Sequence, residues 1–362
     1  MSRPKNDALR EFLLKNLADH AGDIATFAAE SLGITRASVN GYLRALVEEG
    51  LVEASGQTKG RNYTLKRLDT LRTTIDLGTE QQEDVIWRDT VYSHFSMLPQ
   101  NVMRICEYAF GEIMNNAIDH SEGARVTISV ERNYARVVFS LTDDGVGIFD
   151  KITKECGLTN KHEAILELSK GKLTTDRSKH TGEGIFFTSR MVDDFMIISG
   201  GLEYSRRRRT NGEYISDVEP SSPQQKGTTV QMEIATNATQ TIKDVFDQYL
   251  GDEYRFSKTT IPLKLASYEG EHLVSRSQAR RIMTRVERFT EVWLDFSEIT
   301  QIGQQFADEI FRVWARAHPQ VRLSPYNFSE DVERMIRHAR ANATEDGSAE
   351  QPSSASERGQ KP

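Results

Sequence analysis

The most informative segment of the sequence is Gly111-Glu-Ile-Met-Asn-Asn-Ala-Ile-Asp-His120. Within it, Glu112, Asn116 and His120 are spaced four residues apart, so on a helix they share one face. A carboxylate, an amide and an imidazole form a polar stripe on a helix whose other positions are largely apolar. The stripe indicates a helix face that meets a ligand.

Three further motifs follow in chain order. The first is Asp143-Asp-Gly-Val-Gly-Ile148, directly after a β-rich run, and the second is His180-Thr-Gly-Glu-Gly184, before a helical pattern. The third, Gly227-Thr-Thr-Val230, opens a predicted strand. Each motif alone is common in ordinary loops, but the four together in this order are specific.

Together the four motifs resemble the GHKL (Bergerat) ATP-binding fold shared by gyrase, Hsp90, histidine kinases and MutL. The resemblance spans about residues 78–236. It leans toward the small anti-sigma-factor serine kinase branch, because Phe186 stands where a third glycine is more usual. A P-loop is excluded, since no Walker A sequence occurs.

The resemblance implies ATP and Mg²⁺ as cofactors. Asp143 would accept a hydrogen bond from the exocyclic amine of adenine, and Thr228 would join the same pocket through its hydroxyl. Gly145 and Gly147 would let the backbone approach the base. Gly182 and Gly184 would present backbone N–H groups to the phosphates at a helix N-terminus.

The reacting end of the nucleotide would face the helix that carries the opening stretch. Asn116 would give its neutral oxygen to Mg²⁺, and Glu112 would orient or deprotonate the nucleophile. His120 is either catalytic or a structural, hydrogen-bonded histidine. Four cations and one hydroxyl lie on a segment that is either a lid over the nucleotide, between about Asp150 and Gly182, or a solvated loop: Lys170, Lys172, Arg177, Lys179 and Thr181.

The first 67 residues predict three helices and a two-stranded hairpin. Segments such as Ile34-Thr-Arg-Ala-Ser-Val-Asn-Gly-Tyr-Leu43 and Leu46-Val-Glu-Glu-Gly-Leu-Val52 resemble the winged helix-turn-helix family. In that family the third helix enters the DNA major groove and the wing touches the backbone. The implied contacts are Arg36, Ser38, Asn40 and Arg44 on the helix, with Lys59 and Arg61 on the wing. The alternative is a protein-binding winged helix, because the segment is not strongly basic.

The C-terminal third resembles STAS domains, and within them an uncharacterised STAS-like group of the DUF4325 type. The resemblance rests on the stretch from Trp293 to Phe306. Where phosphorylated STAS proteins have an acceptor serine, this chain reads Gly303-Gln-Gln-Phe306, and an amide cannot accept a phosphoryl group. Ser297 or Thr300 could substitute, but the domain is expected to dock on a partner or on the ATPase core.

Composition limits the remaining possibilities. The chain has 362 residues and a net charge of −7, so any nucleic-acid contact must be a local patch. Two cysteines favour a reducing compartment without a disulfide framework. No apolar run is long enough for a signal peptide or a membrane span, so we expect a cytoplasmic protein. The four arginines at 206–209 either bind nucleic acid or, as the polar surroundings favour, form a solvated hairpin tip.

The fold class expected is multidomain α+β. A winged helix (1–70) precedes a GHKL sandwich (71–240) with a mixed sheet and helices on one face, then a STAS-like α/β domain (241–340) and a disordered tail (341–362). The function expected is transcription regulation, in which slow hydrolysis of Mg-ATP switches DNA binding and STAS-like partner contacts. The alternatives are a serine/threonine kinase acting on a separate STAS partner and a nucleotide-binding interaction protein without turnover. A homodimer stays possible.

Overall fold

The computed structural model describes residues 7–57, 61–78, 82–173, 182–219, 226–251, 253–267 and 272–348. The chain divides into two units. The first consists of Met1–Lys151 and Phe187–Val245, and the second of Ile152–Phe186 and Phe246–Pro362.

The N-terminal part of the first unit contains three helices followed by a two-stranded antiparallel sheet. The helices are α1 (Asp7–Asn16), α2 (Ile24–Leu32) and α3 (Arg36–Glu48), and the strands are β1 (Val52–Ser55) and β2 (Asn62–Leu65). Apolar residues at helical spacing meet in a small core. Its most deeply buried members are Leu13, Ala28, Val39 and Leu43.

A seven-stranded sheet forms the centre of the first unit, in the order β3-β4-β5-β9-β6-β7-β8. Along β5 and β9, every second residue is buried, as expected for a sheet covered on one face. The strands are β3 (Asp69–Asp76), β4 (Arg125–Arg132), β5 (Arg136–Asp143), β6 (Asp194–Ser199), β7 (Leu202–Arg207), β8 (Gly212–Asp217) and β9 (Thr228–Ala235).

The large sheet is antiparallel at every pair of neighbouring strands, so the prediction of a mixed sheet is wrong. Short turns join β4 to β5, β6 to β7 and β7 to β8, and such turns permit only antiparallel pairing. Strand β9 lies between β5 and β6 and runs opposite to both.

Helix α6 (Gln100–His120) carries the opening stretch and packs against β5 and β9. Before it come α4 (Glu83–Ile86), a π-helical turn (Trp87–Val91) and α5 (Tyr92–Phe95), where the sequence predicts one helix over 80–95. The Phe95 ring meets Phe139 of β5 edge-on, with centroids 5.5 Å apart. Helix α7 (Ile148–Cys156) follows β5 in the chain. Helix α9 (Gly184–Met191) precedes β6.

The four arginines at 206–209 lie on the hairpin of β7 and β8. The three from Arg207 to Arg209 are exposed, as a solvated hairpin tip requires. Arg206, in contrast, is only 9% exposed and donates to the carbonyl oxygen of Ser189. The polar composition of 205–225 hid both strands from the sequence analysis.

The second unit contains a three-stranded parallel sheet in the order β10-β11-β12. The strands are β10 (Lys258–Pro262), β11 (Glu291–Asp295) and β12 (Arg322–Tyr326). Helix α14 (Glu330–Ser348) runs past residue 340, where we expected the tail to begin, and residues 349–362 lie outside the described part of the chain. The other helices are α8 (Lys161–Lys170), α10 (Ile242–Tyr249), α11 (Arg276–Met283), α12 (Gln304–Asp308) and α13 (Ala315–Ala317), with a π-helical turn (Glu309–Trp314) between the last two.

Candidate nucleotide-binding site

Helix α6 presents Glu112 and Asn116 as half-buried residues one turn apart. The Asn116 side-chain nitrogen donates to the carbonyl oxygen of Glu112 at 2.8 Å. Only the amino end of an amide can make that bond, so the position of Oδ1 is fixed as well. Among the described residues Oδ1 has no hydrogen-bond donor. The amide therefore offers a held oxygen to a ligand.

Asp143, the last residue of β5, is an acidic residue whose carboxylate is held in place by backbone hydrogen bonds. Its side chain lies on the same face of the sheet as Phe139 and Leu141, the face that α6 covers. Oδ1 accepts hydrogen bonds from the backbone N–H groups of Gly145 at 2.9 Å and Thr228 at 3.2 Å. These two bonds fix the carboxylate, and no donor to Oδ2 occurs among the described residues.

Burial determines the protonation behaviour of Asp143. The residue is 9% exposed, and desolvation raises the pKa of its carboxyl, although the two backbone N–H groups oppose the shift. A carboxyl with a raised pKa in a polar pocket is typical of a binding or catalytic site.

The neighbouring Asp144 has the opposite environment. Its Oδ1 accepts from the backbone N–H groups of Ala124 at 2.8 Å and Arg125 at 2.9 Å. These bonds, above all the one from Arg125, lower the pKa of the Asp144 carboxyl. Asp144 thus ties the end of β5 to the start of β4, and its role is structural.

Thr228, at the start of β9, joins three parts of the site. Its N–H donates to Asp143, and its hydroxyl oxygen accepts from the backbone N–H of Ile148 at 2.9 Å. The Thr228 hydroxyl hydrogen can still be donated, since a hydroxyl is donor and acceptor together. Thr228 therefore holds the first turn of α7 beside Asp143.

Gly145 and Gly147 are required by the packing of the protein itself. A Cβ on Gly145 would lie 2.0 Å from the carbonyl oxygen of Ser121. Gly147 has a φ of +88°, and a Cβ there would lie 2.8 Å from the Ser199 hydroxyl. Both glycines keep the loop after β5 close to neighbouring backbone, whether or not a base approaches it.

Sequence analysis missed two residues that connect α6 to this loop. The Ser121 carbonyl accepts from the Val146 N–H at 2.8 Å. The Lys151 ammonium donates to the carbonyl of His120 at 2.8 Å, which neutralises the C-terminal end of α6. A serine and a lysine in these places carry no distinctive pattern, so only the fold reveals them.

The expected phosphate-binding glycines and Lys172 belong to the second unit. Gly182 has a φ of +72°, and its carbonyl accepts from the N–H of Leu173 at 3.2 Å. Gly184 begins α9. The Lys172 ammonium donates to the carbonyl of Arg288 at 2.8 Å, and burial lowers its pKa. Thr181, with Arg177 and Lys179, lies outside the described residues.

The donor set of the first unit fits a magnesium ion held chiefly by a nucleotide. No cluster of three or more His, Cys, Asp or Glu residues suited to a metal occurs in the described ranges. Mg²⁺ in nucleotide sites commonly takes one or two protein oxygens, with phosphates and waters completing its shell. The held Asn116 oxygen meets that requirement.

The expected DNA-contacting residues lie along α3 and β2. Arg36, Ser38 and Arg44 are exposed, and Asn40 is half-buried. Thr35 caps the helix by accepting from the Ser38 N–H at 3.2 Å, as its sequence predicts. The Arg61 guanidinium lies over the Tyr63 ring, and Lys59 falls outside the described residues.

The loop that lacks an acceptor serine opens α12 in the second unit. Gln304 begins the helix after Gly303, whose N–H donates to Leu273. The Ser297 hydroxyl, one possible substitute acceptor, donates to Asp295 Oδ1 at 2.7 Å. It also accepts from Asn327, so its surroundings account for it as a structural residue.

Comparison with known families finds two domains in the chain. Residues 103–238 match the family described as histidine kinase-, DNA gyrase B-, and HSP90-like ATPase. Residues 278–333 match a STAS-like domain of unknown function (DUF4325). No curated protein matches the chain. The chain therefore contains a GHKL-type ATPase domain, which supports ATP binding, and a STAS-like domain. Among the described helices none is long and apolar enough to cross a bilayer.

Proposed function

We propose that this chain is an ATP-binding regulatory protein whose adenine pocket is centred on Asp143. The observation that carries the proposal is the carboxylate held by two backbone N–H groups through Oδ1, with Oδ2 unengaged by the described residues. A fixed acceptor of this kind selects a ligand that brings a donor. The exocyclic amine of adenine is such a donor, whereas guanine carries a carbonyl oxygen at the same ring position.

The same proposal assigns chemistry to α6. The Asn116 oxygen would hold the Mg²⁺ that accompanies the phosphates, and Glu112 would orient a water for slow hydrolysis. Bound Mg²⁺ would neutralise charge on the phosphates. The backbone carbonyl oxygen of Glu112 accepts from the Asn116 side chain, so the Asn116 amide keeps a fixed place on the helix.

The experiment that tests ATP binding is calorimetric titration of the full chain with ATP, ADP and GTP in the presence of Mg²⁺. We expect ATP to bind and GTP to bind at least about 10-fold more weakly, because guanine leaves the buried acceptor unpaired. Phosphate release is then measured on the same sample. Equal affinity for ATP and GTP would contradict a pocket selected by Asp143.

We further propose that the N-terminal helices bind duplex DNA through α3, making the chain a transcription regulator. Helix α3, whose N-terminus is capped by Thr35, carries three exposed polar residues: Arg36, Ser38 and Arg44. ATP turnover would switch this binding and the contacts of the STAS-like domain with a protein partner. The functional regions would be 1–70 for DNA, 71–240 for ATP and 241–340 for the partner.

A further inference from the structure

Helix α8 belongs to the ATPase match by sequence but folds with the STAS-like module. It lies within residues 103–238 of the family match, and in space it belongs to the second unit. It packs against β10 and the 3₁₀ turn Leu263–Ala266. Every residue from Ala164 to Lys170 is buried. A helix buried on all sides is part of a core, and this one is part of the core of its unit.

A buried ion group joins the end of α8 to the STAS-like module. The Lys170 ammonium pairs with Glu167 at 2.6 Å and donates to the carbonyl of Thr284 at 3.1 Å. The second Glu167 oxygen accepts from Arg285 at 3.1 Å. Glu167 and Lys170 are 5% and 1% exposed, so these hydrogen-bonded partners offset the cost of burying the pair.

Hydrogen bonds from side chains to backbone carbonyls hold the end of α8 and the residues directly after it. The Thr259 hydroxyl, fully buried in β10, donates to the carbonyl of Lys170 at 2.7 Å. The Arg288 guanidinium donates to the carbonyl of Lys172 at 3.0 Å, and the Lys172 ammonium donates back to the carbonyl of Arg288. Two residues of the STAS-like module therefore fix the course of the backbone at 170–172.

This anchored backbone leads directly to the glycines expected at the phosphates. Leu173 follows Lys172, and its N–H donates to the carbonyl of Gly182. A Cβ on Gly182 would lie 2.4 Å from the Leu173 carbonyl oxygen, so the two backbones are in close contact. The position of Gly182 thus depends on that of Leu173, which depends on Thr259 and Arg288.

We propose that Thr259, Arg285 and Arg288 are positioning residues for Gly182, acting through α8 and Leu173. This inference rests on the proposed function, since it takes Gly182 and Gly184 as phosphate-binding residues. A segment that is already ordered loses less conformational freedom when the ligand binds. A partner protein that loosens the contacts of Thr259, Arg285 and Arg288 with residues 167–172 would lower the affinity for ATP. By linkage, bound ATP must then lower the affinity for that partner by the same factor.

The test compares variants of the full chain by Mg-ATP titration and by amide hydrogen exchange over 161–173 and 182–186. For Arg285→Ala and Arg288→Ala we expect ATP affinity to fall at least about 5-fold and exchange over these residues to rise. Arg285→Lys should restore part of the affinity. The matched control is Arg312→Ala, whose half-buried arginine pairs with Asp308 inside one helical segment.

The outcomes separate this inference from the proposed function. Wild-type chain that fails to bind ATP would overturn the proposed function. If the wild-type chain binds ATP and both arginine variants bind it with the same affinity as wild type, only the positioning role is overturned. The positioning role is also overturned if Arg312→Ala loses as much ATP affinity as the two variants. Arg288→Ala leaves the Lys172 bond to the backbone in place, so it keeps the test decisive if Arg285→Ala does not fold.

Discussion

The adjacent residues Asp143 and Asp144, at the end of β5, have different roles because their surroundings differ. Asp143 lies on the covered face of the sheet, whereas Asp144 follows the strand and is exposed. The sequence predicts Asp143 as the recognition residue from its motif. That the Gly145 N–H and the distant Thr228 N–H hold the same oxygen could not be predicted, since it depends on strand pairing.

Asp144→Ala should reduce the stability of the fold by about 1 kcal/mol, because two backbone N–H groups lose their acceptor. The folded pKa of Asp144 is lowered from its ordinary value of 3.8, so its contribution is present above that pH and is lost as pH falls through the folded pKa. Urea denaturation at pH 7 and at pH 3 measures this. A difference between variant and wild type that is as large at pH 3 as at pH 7 would contradict the assignment.

Glu112→Gln should lower ATP turnover by about 100-fold or more while leaving ATP affinity unchanged, because the amide cannot take up a proton. Phosphate release and calorimetry on one sample measure the two effects. Glu107→Gln, at an exposed position of the same helix, is the matched control. Turnover unchanged in Glu112→Gln would show that Glu112 does not activate water.

At the scale of elements, patterns with strong periodicity were predicted well and irregular ones were not. The three helices and the hairpin expected in the first 67 residues, and the helix expected over 111–120, form where the sequence predicts them. The tip of the β7–β8 hairpin was predicted, but its two strands were not, because they are rich in charge and stabilised by pairing. The π-helical turn at Trp87–Val91 was missed because a one-residue insertion leaves no clear periodic signal.

Helix α3 carries the prediction about DNA. The double variant Arg36→Ala, Arg44→Ala should weaken binding to duplex DNA and reduce its salt slope by about 2, since two phosphate contacts are lost. Fluorescence anisotropy over a range of salt concentrations measures both effects. Arg322→Ala, an exposed arginine of β12, should change neither. If the wild-type chain binds no duplex DNA at low salt, the proposal that α3 binds DNA is wrong.

For the whole molecule, the order of the ATPase and STAS-like domains was predicted from motifs, and the family matches confirm it. Sequence periodicity cannot show which module buries α8. The structure assigns α8 to the unit of the STAS-like domain, although the sequence match assigns it to the ATPase.

Selection of adenine by Asp143 can be tested by comparing two variants in which a carboxylate is replaced by an amide, Asp143→Asn and Asp144→Asn. Asp143→Asn keeps the Oδ1 acceptor for Gly145 and Thr228 but turns the other oxygen into a donor, so Mg-ATP affinity should fall at least about 100-fold. Because burial raises the Asp143 pKa, removing its charge should not lower thermal stability at pH 7. Calorimetric titration of Asp143→Asn beside Asp144→Asn measures this. Affinity should be lost in Asp143→Asn alone, and wild-type affinity in that variant would contradict selection of adenine by Asp143.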